Sequence, residues 1–227
     1  DNRLCVAQKG VMWLRLTVTG KMAHGAMPYA GVNPMYHMAS LLLRLRSWEE
    51  RQLKSARAHP LLGRLSVTPT VIEAPVLGEA QRNVVPGQCT VTVDVRWTPE
   101  QSAAAIETAV HEIVERLQEE DSTFYASLEV LECRPPVETP ADEEIVGVLH
   151  RVFRDVTGRE PLYGGVPGST DGTLLTTLAD VPVVVCGPGN TAMSHQVDEY
   201  VEIEQIVEAA KIYACAAMRY LGVRGSV

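Results

Sequence analysis

An α+β fold is expected for this chain: a four-stranded antiparallel sheet with two helices on one face, then a helix-rich α/β unit. Three observations predict it. Apolar residues alternate with period two in four separate runs between residues 11 and 131. Two runs with helical spacing lie between the first and second and between the third and fourth of these strands. Beyond residue 134 the pattern changes to helices around a single apolar stretch, which belongs in a parallel sheet.

The first strand is Val11 to Thr19, with Met12, Leu14, Leu16 and Val18 opposite Arg15, Thr17 and Thr19. A glycine- and proline-rich loop, Gly20 to Asn33, leads to a helix from Pro34 that turns Met35, Met38, Leu42 and Leu45 inward. Leu65, Val67 and Val71 mark the second strand. In the third, Cys89, Val91, Val93, Val95 and Trp97 share a face opposite Thr90, Thr92, Asp94 and Arg96. The connection between them, Glu73 to Gln88, is long for a hairpin, and long connections in compact domains carry function disproportionately. Thr98-Pro99-Glu100-Gln101 reads as a helix start with Thr98 as cap, and Ile106, Val110, Ile113, Val114 and Leu117 point inward. Phe124, Ala126, Leu128 and Val130 complete the fourth strand. The β-α-β-β-α-β order is the ferredoxin-like split arrangement.

Cys133 to Pro140 is proline-rich and reads as a domain crossing. A helix from about Ala141 follows, with Ile145, Leu149, Val152, Phe153 and Val156 inward and Gly158 as its C-terminal cap. Leu174, Leu175 and Leu178 mark a short helix, Val181 to Cys186 a buried strand, and Ile206, Ala210, Ala214, Ala217 and Leu221 a closing helix. One apolar strand cannot make a sheet, so this half needs strands from elsewhere. The expected division is 1–10, 11–133 and 134–227.

The chain has 227 residues, a net charge of −8, no Lys/Arg-rich run and 5% aromatic residues, a poor partner for nucleic acid phosphates. No apolar stretch approaches the roughly 20 residues that span a bilayer, so no membrane partner is expected. Five cysteines scattered singly read as reduced thiols of a cytoplasmic protein. The chain opens at Asp1 without a methionine, and the expectation is that an upstream part was removed or left out.

Four loops gather polar residues. His24 lies in Gly20 to Pro28, as a proton handler or a solvated loop histidine. Asn83 lies in the long connection, as a ligand contact or a turn former. Ser169 lies in Gly164 to Gly172, an anion-binding or simply capping segment before a helix. Asn190 and His195 lie in Gly187 to Glu199, directly after the apolar stretch, where open α/β sheets place their sites. Arg96 shares a strand face with Asp94, as a carboxylate-binding guanidinium or one half of a surface ion pair.

Four segments in this order, GKMAHGAMPYAGVNP (20–34), RNVVPGQCTVTVDVRWTP (82–99), GGVPGSTDG (164–172) and GPGNTAMSHQVDEYVEI (187–203), span nearly the whole chain. The chain resembles the zinc aminoacylases and exopeptidases that include acetylornithine deacetylase, succinyl-diaminopimelate desuccinylase and carboxypeptidase G. The resemblance implies a ferredoxin-like dimerisation lid over 11–133, inserted in an α/β catalytic domain whose N-terminal portion is absent. It implies a hydrolase of N-acyl amino acids or short peptides that works by metal-activated water, with two zinc ions per subunit, as a cytoplasmic homodimer. It makes His195 a zinc ligand and His24 an oxyanion contact reaching the partner subunit's site. It makes Asn83, Arg96, Ser169 and Asn190 substrate contacts, with a looser match at Lys9.

The remaining zinc ligands of such proteins precede the lid, and the last of them would fall just before Asp1. This chain therefore carries one expected ligand, where a zinc site needs three or four. By itself it is expected to bind zinc poorly and to be inactive. A rival expectation from another class is a non-catalytic dimerisation or amino-acid-binding module, for which His195 has no evident use.

Overall fold

A computed structural model describes residues 2–55, 57–75 and 78–222. In chain order its elements are β1 (Leu4–Gln8), β2 (Gly10–Thr19), β3 (Ala23–His24), α1 (Pro34–Ser55), β4 (Ser66–Glu73), β5 (Val84–Val85) and β6 (Gln88–Trp97). There follow α2 (Ala103–Glu120), β7 (Tyr125–Arg134), β8 (Val137–Glu138), α3 (Glu144–Thr157), β9 (Tyr163–Val166), α4 (Gly172–Ala179) and α5 (Ile203–Tyr220). The result is a mixed α/β fold with antiparallel sheets. It divides into two compact units, Gly10–His59 with Gly63–Pro135, and Asp1–Lys9 with Pro60–Leu62 and Pro136–Val227.

The unit containing Gly10–His59 is a four-stranded sheet in the order β4-β6-β2-β7, every neighbouring pair antiparallel. Alternation dictates its core. Met12, Leu14, Leu16 and Val18 of β2 and Cys89, Val91, Val93, Val95 and Trp97 of β6 are buried against Met38, Leu41, Leu45 and Trp48 of α1. Ile106, Val110, Ile113, Val114 and Leu117 of α2 join them. Both helices therefore lie on one face. Three expectations need correction. The buried stripe of α1 runs through Leu41 rather than Leu42, and Met35 is exposed. A register shift between Pro69 and Val71 pairs Val71 with Thr92 and turns it outward, 49% exposed. Helix α2 is capped by Ser102, whose hydroxyl accepts the Ala105 N–H at 3.2 Å. Thr98 and Gln101 form their own turn just before it, with the Gln101 side chain accepting both the Thr98 N–H and hydroxyl.

The unit containing Pro136–Val227 has a three-stranded sheet, β8-β1-β9, with β1 parallel to β9 and antiparallel to β8. Leu4 of β1 packs with Val148, Leu149, Val152 and Phe153 of α3 and Ile212 and Ala216 of α5. Gly158 ends α3 in the left-handed region. Three strands come from where none was expected: β1 in the first ten residues, β8 in the proline-rich crossing, and the segment Tyr163–Val166, whose two glycines conceal the pattern. Val181 to Cys186 was expected as a buried strand and is not one. Only Val185 bridges β1, exchanging backbone hydrogen bonds with Cys5 at 2.8 and 2.9 Å, and Val181 is exposed. Without a ladder on both sides its apolar side chains stay half-open to solvent. The expected inner face of α5 is also displaced, to Ala209, Ile212 and Ala216, because apolar residues occupy more than one side of that helix.

Candidate functional site

His24 and Asn83 stand almost sixty residues apart in sequence and are brought together by a two-strand ladder. β3 pairs with β5, His24 opposite Val84, and the Gly25 N–H donates to the Asn83 carbonyl at 2.6 Å. A side chain on Gly25 would press on the Asn83 backbone at 3.0 Å, so the close approach favours glycine. Both residues are exposed. The Ala26 N–H donates to His24 Nδ1 at 3.0 Å. With Nδ1 occupied as an acceptor, the neutral imidazole carries its hydrogen on Nε2, where it is a donor. The connection carrying Asn83 was expected over 73–88; residues 76 and 77 of it lie outside the described residues.

Arg96 does not join this pair. It sits opposite Val11 and Ser66, whereas the ladder of β2 with β6 reaches Thr19 and Gln88 at the other end. Eight residues of strand separate the two ends, about 26 Å at ~3.3 Å per residue. Its guanidinium holds Asp94 in a bidentate pair at 2.7 and 2.9 Å, half-buried. A substrate carboxylate at Arg96 would have to compete with that aspartate.

In the other unit a cavity of ≈ 440 Å³ opens beside β1 and the Val185 bridge, walled by Arg3, Gly187 to Ala192, Ser194, Glu199 and Tyr200 among others. Asn190 lies on its wall. Its Oδ1 accepts the Ala192 N–H at 3.0 Å and caps a 3-10 turn, Thr191–Met193, leaving the amide hydrogens as its remaining donors. His195 follows between two wall residues, in a left-handed backbone conformation (φ 64°). Such a conformation costs a non-glycine residue of order 1–3 kcal/mol. The Glu199 carboxylate counters it by accepting the His195 N–H at 3.0 Å. Ser169 lies just before α4, its hydroxyl 3.0 Å from that of the fully buried Thr173.

Several supporting residues carried no sequence signal. Asn2 is buried; it donates from its backbone to the Gly187 carbonyl and from its side chain to the Gln205 carbonyl and the Glu208 carboxylate. Gln205 accepts the Gly189 N–H at 2.8 Å. Together they clamp the glycine turn that begins the Asn190–His195 loop. The one hint for Gln8 was a polar residue closing the apolar run Leu4 to Ala7. Its partners lie far along the chain.

The resemblance implies a pair of zinc ions, which needs several clustered donors. Among the described residues no group of three or more His, Cys, Asp and Glu could hold a metal ion. Around His195, one oxygen of the Glu199 carboxylate accepts the His195 N–H. The residues present do not fit a zinc pair.

An acetylornithine deacetylase from Myxococcus xanthus is 29% identical over 96% of this chain and 55% of its own length. A probable succinyl-diaminopimelate desuccinylase from Staphylococcus epidermidis is 22% identical over 97% of the chain and 58% of its own length. The chain thus spans little more than half the length of these relatives. Among solved structures, the di-peptidase Dug1p from Saccharomyces cerevisiae superposes with a TM-score of 0.78 at 13% identity, over 99% of this chain and 57% of that one. That likeness speaks to fold alone. The family described as peptidase dimerisation domain, of the M20 type, matches residues 6–122, more than half of the 227 residues, and the chain belongs to that family.

Proposed function

We propose that the chain is the dimerising lid and the substrate-binding C-terminal part of a metal-dependent hydrolase acting on N-acyl amino acids or short peptide amides. On this reading residues 11–133 are the ferredoxin-like lid, and residues 1–10 and 134–227 are pieces of a catalytic α/β domain completed by further sequence. The observation that carries it is the His24–Asn83 ladder within the dimerisation domain. It presents an imidazole whose Nδ1 is satisfied by the Ala26 N–H and whose Nε2–H is a donor. Such a donor suits the negative oxygen that develops when an amide carbonyl is attacked, in the partner subunit of a homodimer. Asn83, Asn190 and Ser169 offer amide and hydroxyl groups to acyl or carboxylate oxygens, and Arg96 offers a guanidinium once Asp94 yields it.

His195 is the one expected zinc ligand here. With an inadequate donor set, the proposed chemistry of these residues is binding and orientation, and the 227 residues by themselves hydrolyse nothing. The same shortfall favours a second reading, a non-catalytic dimerisation or amino-acid-binding module. A net charge of −8 with no Lys/Arg-rich run fits small-molecule partners, and free thiols fit a cytoplasmic setting.

The test uses the full-length protein with zinc and a panel of N-acetyl and N-succinyl amino acids and dipeptides. His24→Ala is expected to lower kcat by ~100- to 1000-fold, as loss of an oxyanion donor does, with little change in KM. Hydrolysis of none of the panel by the unaltered protein would sink the hydrolase and leave the module.

A further inference from the structure

Gln8 closes β1 with its side chain inside the protein, 2% exposed. Its Oε1 accepts two hydrogen bonds from a single residue 162 positions away: the Thr170 N–H at 3.0 Å and the Thr170 hydroxyl at 2.7 Å. The Thr170 Oγ1 in turn accepts the N–H of Gly172, the first residue of α4, at 3.1 Å. On either side of Thr170, Ser169 and Thr173 join through their hydroxyls at 3.0 Å. Gly172 leaves the space for this arrangement, since a Cβ there would sit 2.9 Å from Nε2 of Gln8 and 2.7 Å from Cγ1 of Val183.

The segment so held has little else to hold it. No side chain between residues 163 and 180 belongs to the hydrophobic cluster of this unit, among the described residues. Leu174, Leu175 and Leu178 of α4 face outward. Beyond the end of β9 at Val166, the Ser169 loop is therefore placed chiefly by polar bonds, and the buried acceptor in them is Gln8. A buried amide is tolerated only where its hydrogen-bonding capacity is used. Here it is used on one loop.

We infer that Gln8 is a positioning residue for substrate binding: through Thr170 it sets where the Ser169 hydroxyl stands to meet an acyl or carboxylate oxygen. The inference rests on the proposed hydrolase reading of Ser169. Gln8 itself touches no reacting atom, and its effect is on the geometry of binding.

Two variants separate positioning from packing. Gln8→Met keeps the length and volume and removes the acceptor. Gln8→Glu keeps an oxygen acceptor for both Thr170 donors. In the 227-residue chain, hydrogen exchange at the Thr170 and Gly172 amides is expected to rise about tenfold or more in Gln8→Met, and to stay within about threefold of the unaltered chain in Gln8→Glu. Exchange in the ladder of β2 with β6 serves as the unchanged reference. In the full-length protein, Gln8→Met is expected to raise KM for an N-acyl amino acid about tenfold, to move kcat by less than about threefold, and to be rescued by Gln8→Glu. Unchanged exchange at Thr170 and Gly172 in Gln8→Met would overturn the inference, because the loop would not depend on Gln8. Raised exchange with an unaltered KM would overturn it too, since the loop would then be held for reasons unrelated to substrate. Absence of hydrolysis by the unaltered protein removes the hydrolase reading and this inference with it, and the exchange result tells that failure apart from the other two.

Discussion

Cys186 lies half-buried against the core between α3 and α5, its sulfur donating to the Asn2 carbonyl at 3.5 Å. Burial is the main reason its thiol is pushed from an ordinary value of 9.0 up to about 11. The folded state thus favours the neutral thiol. Stability from this group is complete below the ordinary thiol range and declines as pH rises from about 9 toward 11, where the unfolded chain ionises first. The urea midpoint is expected to fall between about pH 8 and about pH 10.5, and to fall less in Cys186→Ala. An equal fall in that variant would place the effect on other groups that burial also raises, Cys5 and Tyr213 among them. At this scale the sequence was legible where local spacing decides the matter. Asp94 and Arg96, two apart on a strand, form the ion pair that was one of the two readings of their shared face. Gln8 and Asn2 were not legible, because each acquires its meaning from partners more than 160 residues away.

Among the elements, period-two alternation was the dependable signal: every expected inward residue of β2 and β6 is buried. It failed where a ladder is irregular or partners are scarce. The shift at Pro69 reverses Val71, and Val181 to Cys186 lacks a full ladder to become a strand. Helix starts were less legible, because Thr98 carries good cap chemistry and yet the chain makes one further turn before Ser102. Ser102→Ala is expected to cost about 1 kcal/mol in urea unfolding, the usual loss for a removed hydroxyl cap. Thr98→Ala should leave the helical circular dichroism unchanged; a loss of helix there would restore Thr98 as the cap.

For the whole molecule, the order of four loops along the chain carried more than any one of them, and two of the four, 20–34 and 82–99, lie within the peptidase dimerisation domain match over residues 6–122. Which side chains share a site was harder to read. His24 and Asn83 meet, while Arg96 stands at the far end of the sheet. Sequence order cannot express that distance. The proposed homodimer makes a demand on one free edge of the four-stranded sheet: β4, like β7, has a neighbour on one side only, and Ile72 on it is 61% exposed. Ile72→Lys places a charge on that edge at little expected cost to the monomer fold. Sedimentation velocity is expected to show a shift toward monomer with unchanged circular dichroism; an undisturbed dimer would move the interface elsewhere.

The ladder of β3 with β5 also constrains which length changes the gene can tolerate. Residues added between 78 and 82 would lengthen a surface excursion whose ends stay where they are, at small entropic cost. A single residue added between Asn83 and Gln88 would slip the pairing opposite Ala23 and His24 by one place, turning alternate side chains to the wrong side. Related genes that keep this chemistry should therefore vary in length before Asn83 and hold a constant count from Asn83 to the start of β6.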